Sequence, residues 1–308
     1  MPDRSGILLI GGNGFLGLAL AHALAGKGRE VHVLSRAAEP GQRAGITFHR
    51  GSQGDAAVIA PLMKQCDTLV HLASTTTPGS SARRPTIDTE ENLLPAARLT
   101  EAMSSHPPER FIFVSSGGAI YGNPRQLPAD ESLLPNPLSY HAAGKIALES
   151  LFTAFAHTNS VSLAILRPSN VYGPGQQLRS GFGLVRTLLE KALNDTPVEM
   201  WGDGDAVRDY LYIDDAVAAC LRLIDTEQAI GPFNAGSGSG TSIADLVALV
   251  GRVTGRELEV VQRPARGTDV RAIVLDSTRL KSTTSWIPRT DLEEGVQRTW
   301  ESLQESIP

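Results

Sequence analysis

Ile7-Leu8-Leu9-Ile10-Gly11-Gly12-Asn13-Gly14-Phe15-Leu16-Gly17 runs from an apolar tetrapeptide through a glycine cluster into an Ala/Leu-rich segment that continues to Leu24. A short continuous apolar run is the mark of a strand buried on both faces of a parallel sheet. The glycines satisfy both Gly12-x-Gly14-x-x-Gly17 and Gly11-x-x-Gly14-x-x-Gly17. Strand, glycine turn and helix in that order form a dinucleotide-binding loop, because glycine lets backbone approach a pyrophosphate and the helix start offers N–H groups and a positive dipole end. Gly11, Gly14, Phe15, Leu16 and Gly17 are therefore candidate cofactor contacts.

The same alternation extends outward. Val31–Leu34, Thr68–Leu72, Phe111–Val114 and Ser162–Leu166 read as further strands, and Phe15–Leu24, Asn92–Met103 and Tyr140–His157 as helices between them. This predicts an α/β fold, a doubly wound parallel (Rossmann) sheet with right-handed crossovers. After Pro168 the rhythm changes to helices at Gly183–Asn194, Ile243–Thr254 and Leu292–Glu301 separated by Gly/Pro-rich loops. These imply a smaller, mixed α/β C-terminal substrate lobe. The expected division is 1–167 for the dinucleotide domain, with 210–235 returning to it, and 168–209 plus 236–308 for the lobe.

Bulk properties narrow the classes. The 308 residues are 41% hydrophobic and 20% charged, ordinary values for a globular chain. A net charge of −5 offers no basic footprint for nucleic acid, and no apolar run approaches the ~18 residues of a membrane span. Cys66 and Cys220 lack metal-ligand spacing and read as reduced core thiols, so no metal site is expected and a cytoplasmic location is.

Two local patterns bear on chemistry. The second strand ends Leu34-Ser35-Arg36, without the acid that commonly holds a ribose 2′-hydroxyl. Ser35 and Arg36 suit a 2′-phosphate, since guanidinium matches phosphate oxygens in a fork. NADP is therefore the expected cofactor and NAD the second choice. The other pattern is Ser139-Tyr140-His141-Ala142-Ala143-Gly144-Lys145. At ~100° per residue, His141 and Lys145 lie ~40° apart on a helix and Tyr140 and Lys145 ~140° apart. A regular helix thus pairs His141 with Lys145.

Over nearly its whole length the chain resembles extended short-chain dehydrogenases/reductases, the NAD(P)-dependent sugar-nucleotide epimerase/dehydratase group. Besides the glycine loop, the resemblance is carried by His71-Leu72-Ala73-Ser74, by Asn92, and by Val114-Ser115-Ser116-Gly117-Gly118-Ala119-Ile120-Tyr121-Gly122. Leu166-Arg167-Pro168-Ser169-Asn170-Val171-Tyr172-Gly173-Pro174 matches as well. So do Gly202-Asp203-Gly204 with Arg208-Asp209-Tyr210 and Asp214-Asp215, and Arg263-Pro264-Ala265-Arg266-Gly267-Thr268-Asp269. The resemblance implies Leu72, Ala73, Ser74, Asn92, Lys145 and Pro168 beside the cofactor. It places Asn170, Arg208, Arg266 and Asp269 on a nucleotide-diphosphate sugar, and implies a homodimer.

Family chemistry runs on Tyr-x-x-x-Lys with a steadying hydroxyl. Here Lys145 is kept, His141 occupies the tyrosine position, and Ser116 is the nearest hydroxyl because Gly117 takes the usual place. Three readings stand: His141 is the base, Tyr140 reaches the site through a distorted first turn, or the chemistry is weakened or absent. The expected activity is that of an epimerase, dehydratase or 4-keto reductase on an NDP-sugar, foremost a UDP-sugar 4-epimerase. The alternatives are a non-catalytic nucleotide-sugar and dinucleotide binder, or an NADP-dependent reductase of a small carbonyl compound.

Overall fold

The computed structural model describes residues 5–82, 84–178, 183–265 and 270–305. Its main sheet is built from β1 (Gly6–Ile10), β2 (Val31–Ser35), β3 (Gly41–Arg43), β4 (Ile46–Arg50), β5 (Cys66–His71), β6 (Arg110–Val114) and β7 (Ser162–Pro168). It also takes in a late strand, Gly231–Ala235. Every residue of β1 and β6 is buried. That burial explains why their sequences are continuously apolar rather than alternating.

Three strands form a second, small sheet: β8 (Asn170–Tyr172), β10 (Val207–Tyr212) and β12 (Gly240–Ser242). Between them in sequence fall β9 (Val198–Trp201) and the late strand β11 of the main sheet. β9 pairs in parallel with β13 (Val260–Arg263). Helices Leu184–Leu193, Ile243–Thr254 and Leu292–Glu305 accompany these strands.

The main sheet has the order β11-β7-β6-β5-β1-β2-β4-β3. All its pairings are parallel except β3 with β4. Chain order leaves β1 in both directions, towards β2 on one side and β5 on the other. The carboxyl ends of β1 and β5 therefore flank a topological switch point, where such sheets take their ligands. The doubly wound α/β fold is present with its smaller mixed lobe. The return after β10 runs through the helix Ile213–Asp225 and β11; β10 itself belongs to the small sheet.

Several boundaries differ from the sequence expectation. The helix expected from Asn92 begins at Leu94, and Thr89–Leu93 forms a π turn ahead of it. The hairpin β3/β4 has no counterpart in the periodicity; β3 is wholly exposed, and its turn uses left-handed Ala44 and Gly45.

The long helix Tyr140–Asn159 matters most for function. Ser139 caps it, accepting the Ala142 N–H at 3.2 Å. Its buried stripe includes His141, Lys145 and Glu149, spaced by four, followed by Phe152 and Ala156. Phe152 packs edge-on against Phe111 and Phe113 of β6, with centroids 4.8 and 5.0 Å away. Glu149 meets Arg167 of β7 in a two-point ion pair, Nη2–Oε2 at 2.6 Å and Nε–Oε1 at 3.1 Å. Ser115, just past β6, donates to the same carboxylate at 2.5 Å. Arg167 also donates to the Tyr121 hydroxyl at 2.9 Å, and Tyr121 to Asn234 at 2.8 Å.

Removing one partner of such a pair strands a buried charge. Glu149→Ala is expected to lower unfolding free energy by about 3 kcal/mol or more, read from the urea midpoint at constant m-value; a loss below about 1 kcal/mol would contradict the pair's structural role.

Candidate active site

The glycine loop meets the demands of a diphosphate cradle. Gly11 has φ +80° and lies so close to Ala73 that an added Cβ would stand 2.7 Å from Ala73 backbone atoms. A Cβ on Gly17 would stand 2.6 Å from the Gly12 Cα. These two glycines pack β1, β5 and the first helix together. Gly14 differs: its added Cβ would meet only the Gly11 carbonyl oxygen, at 3.3 Å. Gly14 also starts the helix Phe15–Gly26 with no side-chain cap and no acid in the first turn. The helix start is thus left for an anion, and the residues present fit a dinucleotide.

Leu72 bonds through its N–H to the Ile10 carbonyl at 2.8 Å, which sets Ala73 and Ser74 at the mouth of the switch point. Pro168 closes β7 at the same edge. Ser35 accepts the Ala37 N–H, and Arg36 is 64% exposed with a loose bridge to Glu91 at 3.9 Å. His71 ends β5 buried against Phe113 and Phe152, and its ring Nε2–H donates to Gln53 Oε1 at 2.5 Å. Burial, reinforced by the Lys145 cation, pushes its pKa down to about 3, so it is neutral.

The long helix starts regularly at Tyr140, and its first turn sorts the three candidates. Tyr140 is 48% exposed, whereas His141 is 8% and Lys145 6% exposed. Irregular π geometry occurs instead in the facing Thr89–Leu93 segment, which carries Asn92. Lys145 Nζ donates to the Val114 carbonyl at 3.0 Å and lies 5.2 Å from the Phe113 ring centre. Burial lowers its pKa to about 8, opposed by Glu149 and Asp88. His141 Nδ1 lies 3.1 Å from Thr76 Oγ1. Burial first, then Lys145, depresses its pKa to about 4, with Asp88 pulling the other way. Its imidazole is neutral at pH 7 and can accept a proton.

Ser116 begins the short Gly117–Ile120 helix, and its side chain makes no hydrogen bond among the described residues. Ser115 is committed to Glu149. Asn170 donates to the Asp209 carbonyl at 2.9 Å and sits beside Gly118, so it adjoins the serine turn. Arg208 is half-buried on β10, one N–H on the Val207 carbonyl at 2.9 Å. The Asp209 carboxylate accepts from Ser237, Gly238 and Leu275, and Asp215 from the backbone of Arg289 and Thr290. Arg266 and Asp269 lie outside the described residues.

Two residues that sequence reasoning passed over complete the surroundings of His141. Asp88 is buried and accepts from Thr76 Oγ1 at 2.6 Å and from Asn92 Nδ2 at 3.0 Å. Thr76 sits within the run Thr75-Thr76-Thr77, which has no periodicity to single it out. Asp88 carried one usable signal: it precedes Asn92 by four, the spacing of a shared helical face. Among the described residues, no cluster of His, Cys, Asp and Glu is arranged to hold a metal, and no helix is long and apolar enough to cross a membrane. Cys66 and Cys220 are both buried.

Known proteins resemble this chain in sequence and fold. Residues 7–236 match the NAD dependent epimerase/dehydratase family. A UDP-glucose 4-epimerase of Mycolicibacterium smegmatis is 32% identical over 76% of this chain and 75% of its own. The structure of a UDP-glucose 4-epimerase from Thermotoga maritima with UDP-glucose superposes with a TM-score of 0.92 at 32% identity, covering 98% of this chain and 99% of the other. The Thermus thermophilus UDP-glucose 4-epimerase complexed with NAD gives 0.90 at 30% identity, covering 98% and 100%. With the cradle, the switch point and the matched residues in place, the chain belongs to the NAD-dependent epimerase/dehydratase family of enzymes.

Proposed function

We propose that this enzyme inverts a ring carbinol of a nucleotide-diphosphate sugar, as a UDP-sugar 4-epimerase, with His141 as its base. The observation that carries this reading is the burial of His141 and Lys145 on one helix face, neutral imidazole beside ammonium, while Tyr140 stands out in solvent. The relatives named above as UDP-glucose 4-epimerases support the substrate class.

Each residue then has a task. A nicotinamide dinucleotide, when bound, supplies acceptance and return of a hydride. His141 takes the sugar hydroxyl proton on its ring nitrogen and gives it back on the opposite course. Lys145, anchored on Val114, presents its remaining N–H donors and its charge to the oxygens nearby. Ser116 hydrogen-bonds the sugar oxygen. Arg208 and Arg266 hold the diphosphate, where a planar donor fork suits phosphate oxygens, Asn170 bonds a phosphate or sugar oxygen, and Asp269 sits near the nucleotide ribose.

Incubation with UDP-glucose or UDP-galactose and NAD, followed by chromatography, is expected to show interconversion. His141→Phe should cut turnover by ~100-fold or more, the usual worth of a general base, while cofactor binding persists. Tyr140→Phe should stay within about twofold. No turnover of UDP-glucose, UDP-N-acetylglucosamine or UDP-glucuronic acid by a cofactor-loaded protein would overturn the reading. So would an active His141→Phe.

The pH profile follows from the two shifted groups. Activity needs neutral His141, present above about pH 4, and cationic Lys145, lost as pH rises through about 8. A bell with limbs near those values is expected in kcat/KM. An activity that keeps rising beyond pH 9, as a phenol base would give, contradicts it.

We infer further that Arg36 gives the site affinity for NADP. No acid stands directly at the end of β2, and the loose bridge of Arg36 to Glu91 leaves its guanidinium able to turn to a 2′-phosphate. The Thermus thermophilus structure holds NAD, so the support lies in this chain's own residues. Calorimetry is expected to show NADP binding more tightly than NAD. Arg36→Ala should remove that difference through a loss of about tenfold for NADP alone. Equal or tighter binding of NAD by the unmodified chain would refute it.

A further inference from the structure

The hydrogen bonds around Thr76 determine where the proton of His141 sits. Asn92 is oriented first. Its Oδ1 accepts the Thr75 backbone N–H at 3.0 Å, a bond that only oxygen can accept. The amide nitrogen must therefore face the other way, where it donates to Asp88 Oδ1 at 3.0 Å and Thr76 Oγ1 at 3.2 Å. A carboxylate accepts only, so the 2.6 Å contact between Thr76 Oγ1 and Asp88 Oδ1 requires the threonine proton. Thr76 has then given its one proton and received one from Asn92. A single lone pair remains for His141 Nδ1 at 3.1 Å, and Nδ1 has to be the donor.

We propose that Asp88 and Thr76 fix the tautomer of His141, holding its proton on Nδ1 and leaving the lone pair on Nε2, which makes both of them positioning residues for the base. The inference rests on the reading of His141 as the base. Gly144 makes the arrangement possible: an added Cβ there would stand 3.0 Å from Asp88 Oδ1, so the bare helix turn admits the carboxylate. The charged groups acting on His141 are Lys145 from its own helix and Asp88 from the facing segment. Nε2 makes no hydrogen bond among the described residues, and Asp88 Oδ2 is buried without one.

The chemistry balances on those atoms. The sugar O–H bond breaks and an Nε2–H bond forms. The electron pair released on oxygen becomes the second carbonyl bond as the adjoining hydrogen leaves with its pair for the nicotinamide. The imidazolium so formed keeps Nδ1–H on Thr76, whose own proton points at the Asp88 charge. The return step reverses every bond. An Nε2–H tautomer could accept nothing from the substrate, as in other sites where a carboxylate sets the histidine tautomer.

The test reads the tautomer directly, on the full chain with cofactor bound and uniformly ¹⁵N-labelled histidine. Long-range ¹H–¹⁵N correlation at pH 7, with the His141 signals assigned by their loss in His141→Phe, is expected to show a protonated Nδ1 and a bare Nε2. Asp88→Asn preserves shape but supplies a donor to Thr76, freeing the threonine proton for Nδ1. His141 should then shift to the Nε2–H form. kcat should fall by about tenfold or more, with KM within about threefold and cofactor affinity unchanged. Thr76→Val should lose the Nδ1–H preference, and Thr76→Ser should retain it.

An Nε2–H tautomer in the unmodified protein overturns the proposal. So does a tautomer that survives both Asp88→Asn and Thr76→Val. Turnover persisting in His141→Phe is distinguishable from these results: it removes the base assignment, and with it the relay, whatever the spectrum shows.

Discussion

The buried pair between Glu149 and Arg167 is the contact on which the site depends. It joins the middle of the long helix to the end of β7, and Ser115 ties the same carboxylate to the end of β6. Two bonds from a planar guanidinium fix both the rotation and the height of the helix against the sheet. Because His141, Lys145 and Glu149 are spaced by four, fixing Glu149 aims the other two at the sheet's carboxyl edge. Phe152, wedged among Phe111, Phe113 and His71, holds the next turn by packing alone. The apolar half of the helix gives adhesion, and the polar half gives register.

The proposed imidazole base asks something different of a site than a phenol would. A phenol needs its pKa lowered before it can take a proton; an imidazole at neutral pH does not. It is shorter, however, and has two nitrogens of which only one can serve. Burial and Lys145 keep the ring uncharged. The polar contacts of Thr76, Asp88 and Asn92 surround its Nδ1 side. The proposed base thus has neighbours suited to histidine chemistry.

Much of this was legible in the chain. β1, β5, β6 and β7 are buried on both faces, so their composition alone marks them, and the glycine loop follows from what a diphosphate requires of backbone. The pairing of His141 with Lys145 follows from helical periodicity. Thr76 was not legible, and Asp88 offered only its spacing from Asn92, because a tertiary contact brings together a loop threonine and an acid from a separate segment. The π turn at Thr89–Leu93 has no compositional mark, and the exposed β3 carries no apolar pattern. Arg36 and Arg208 were found as residue types, but their reach to phosphate depends on ligand geometry that no spacing encodes.

The most direct measurement of the central claim is a crystal structure of the enzyme with nicotinamide dinucleotide and UDP-glucose bound together. The account predicts His141 Nε2 at hydrogen-bond distance, about 2.6–3.2 Å, from the sugar hydroxyl that reacts, with Tyr140 remote in solvent. A reacting hydroxyl held by Tyr140, or by neither residue, with His141 beyond about 4 Å, would contradict it.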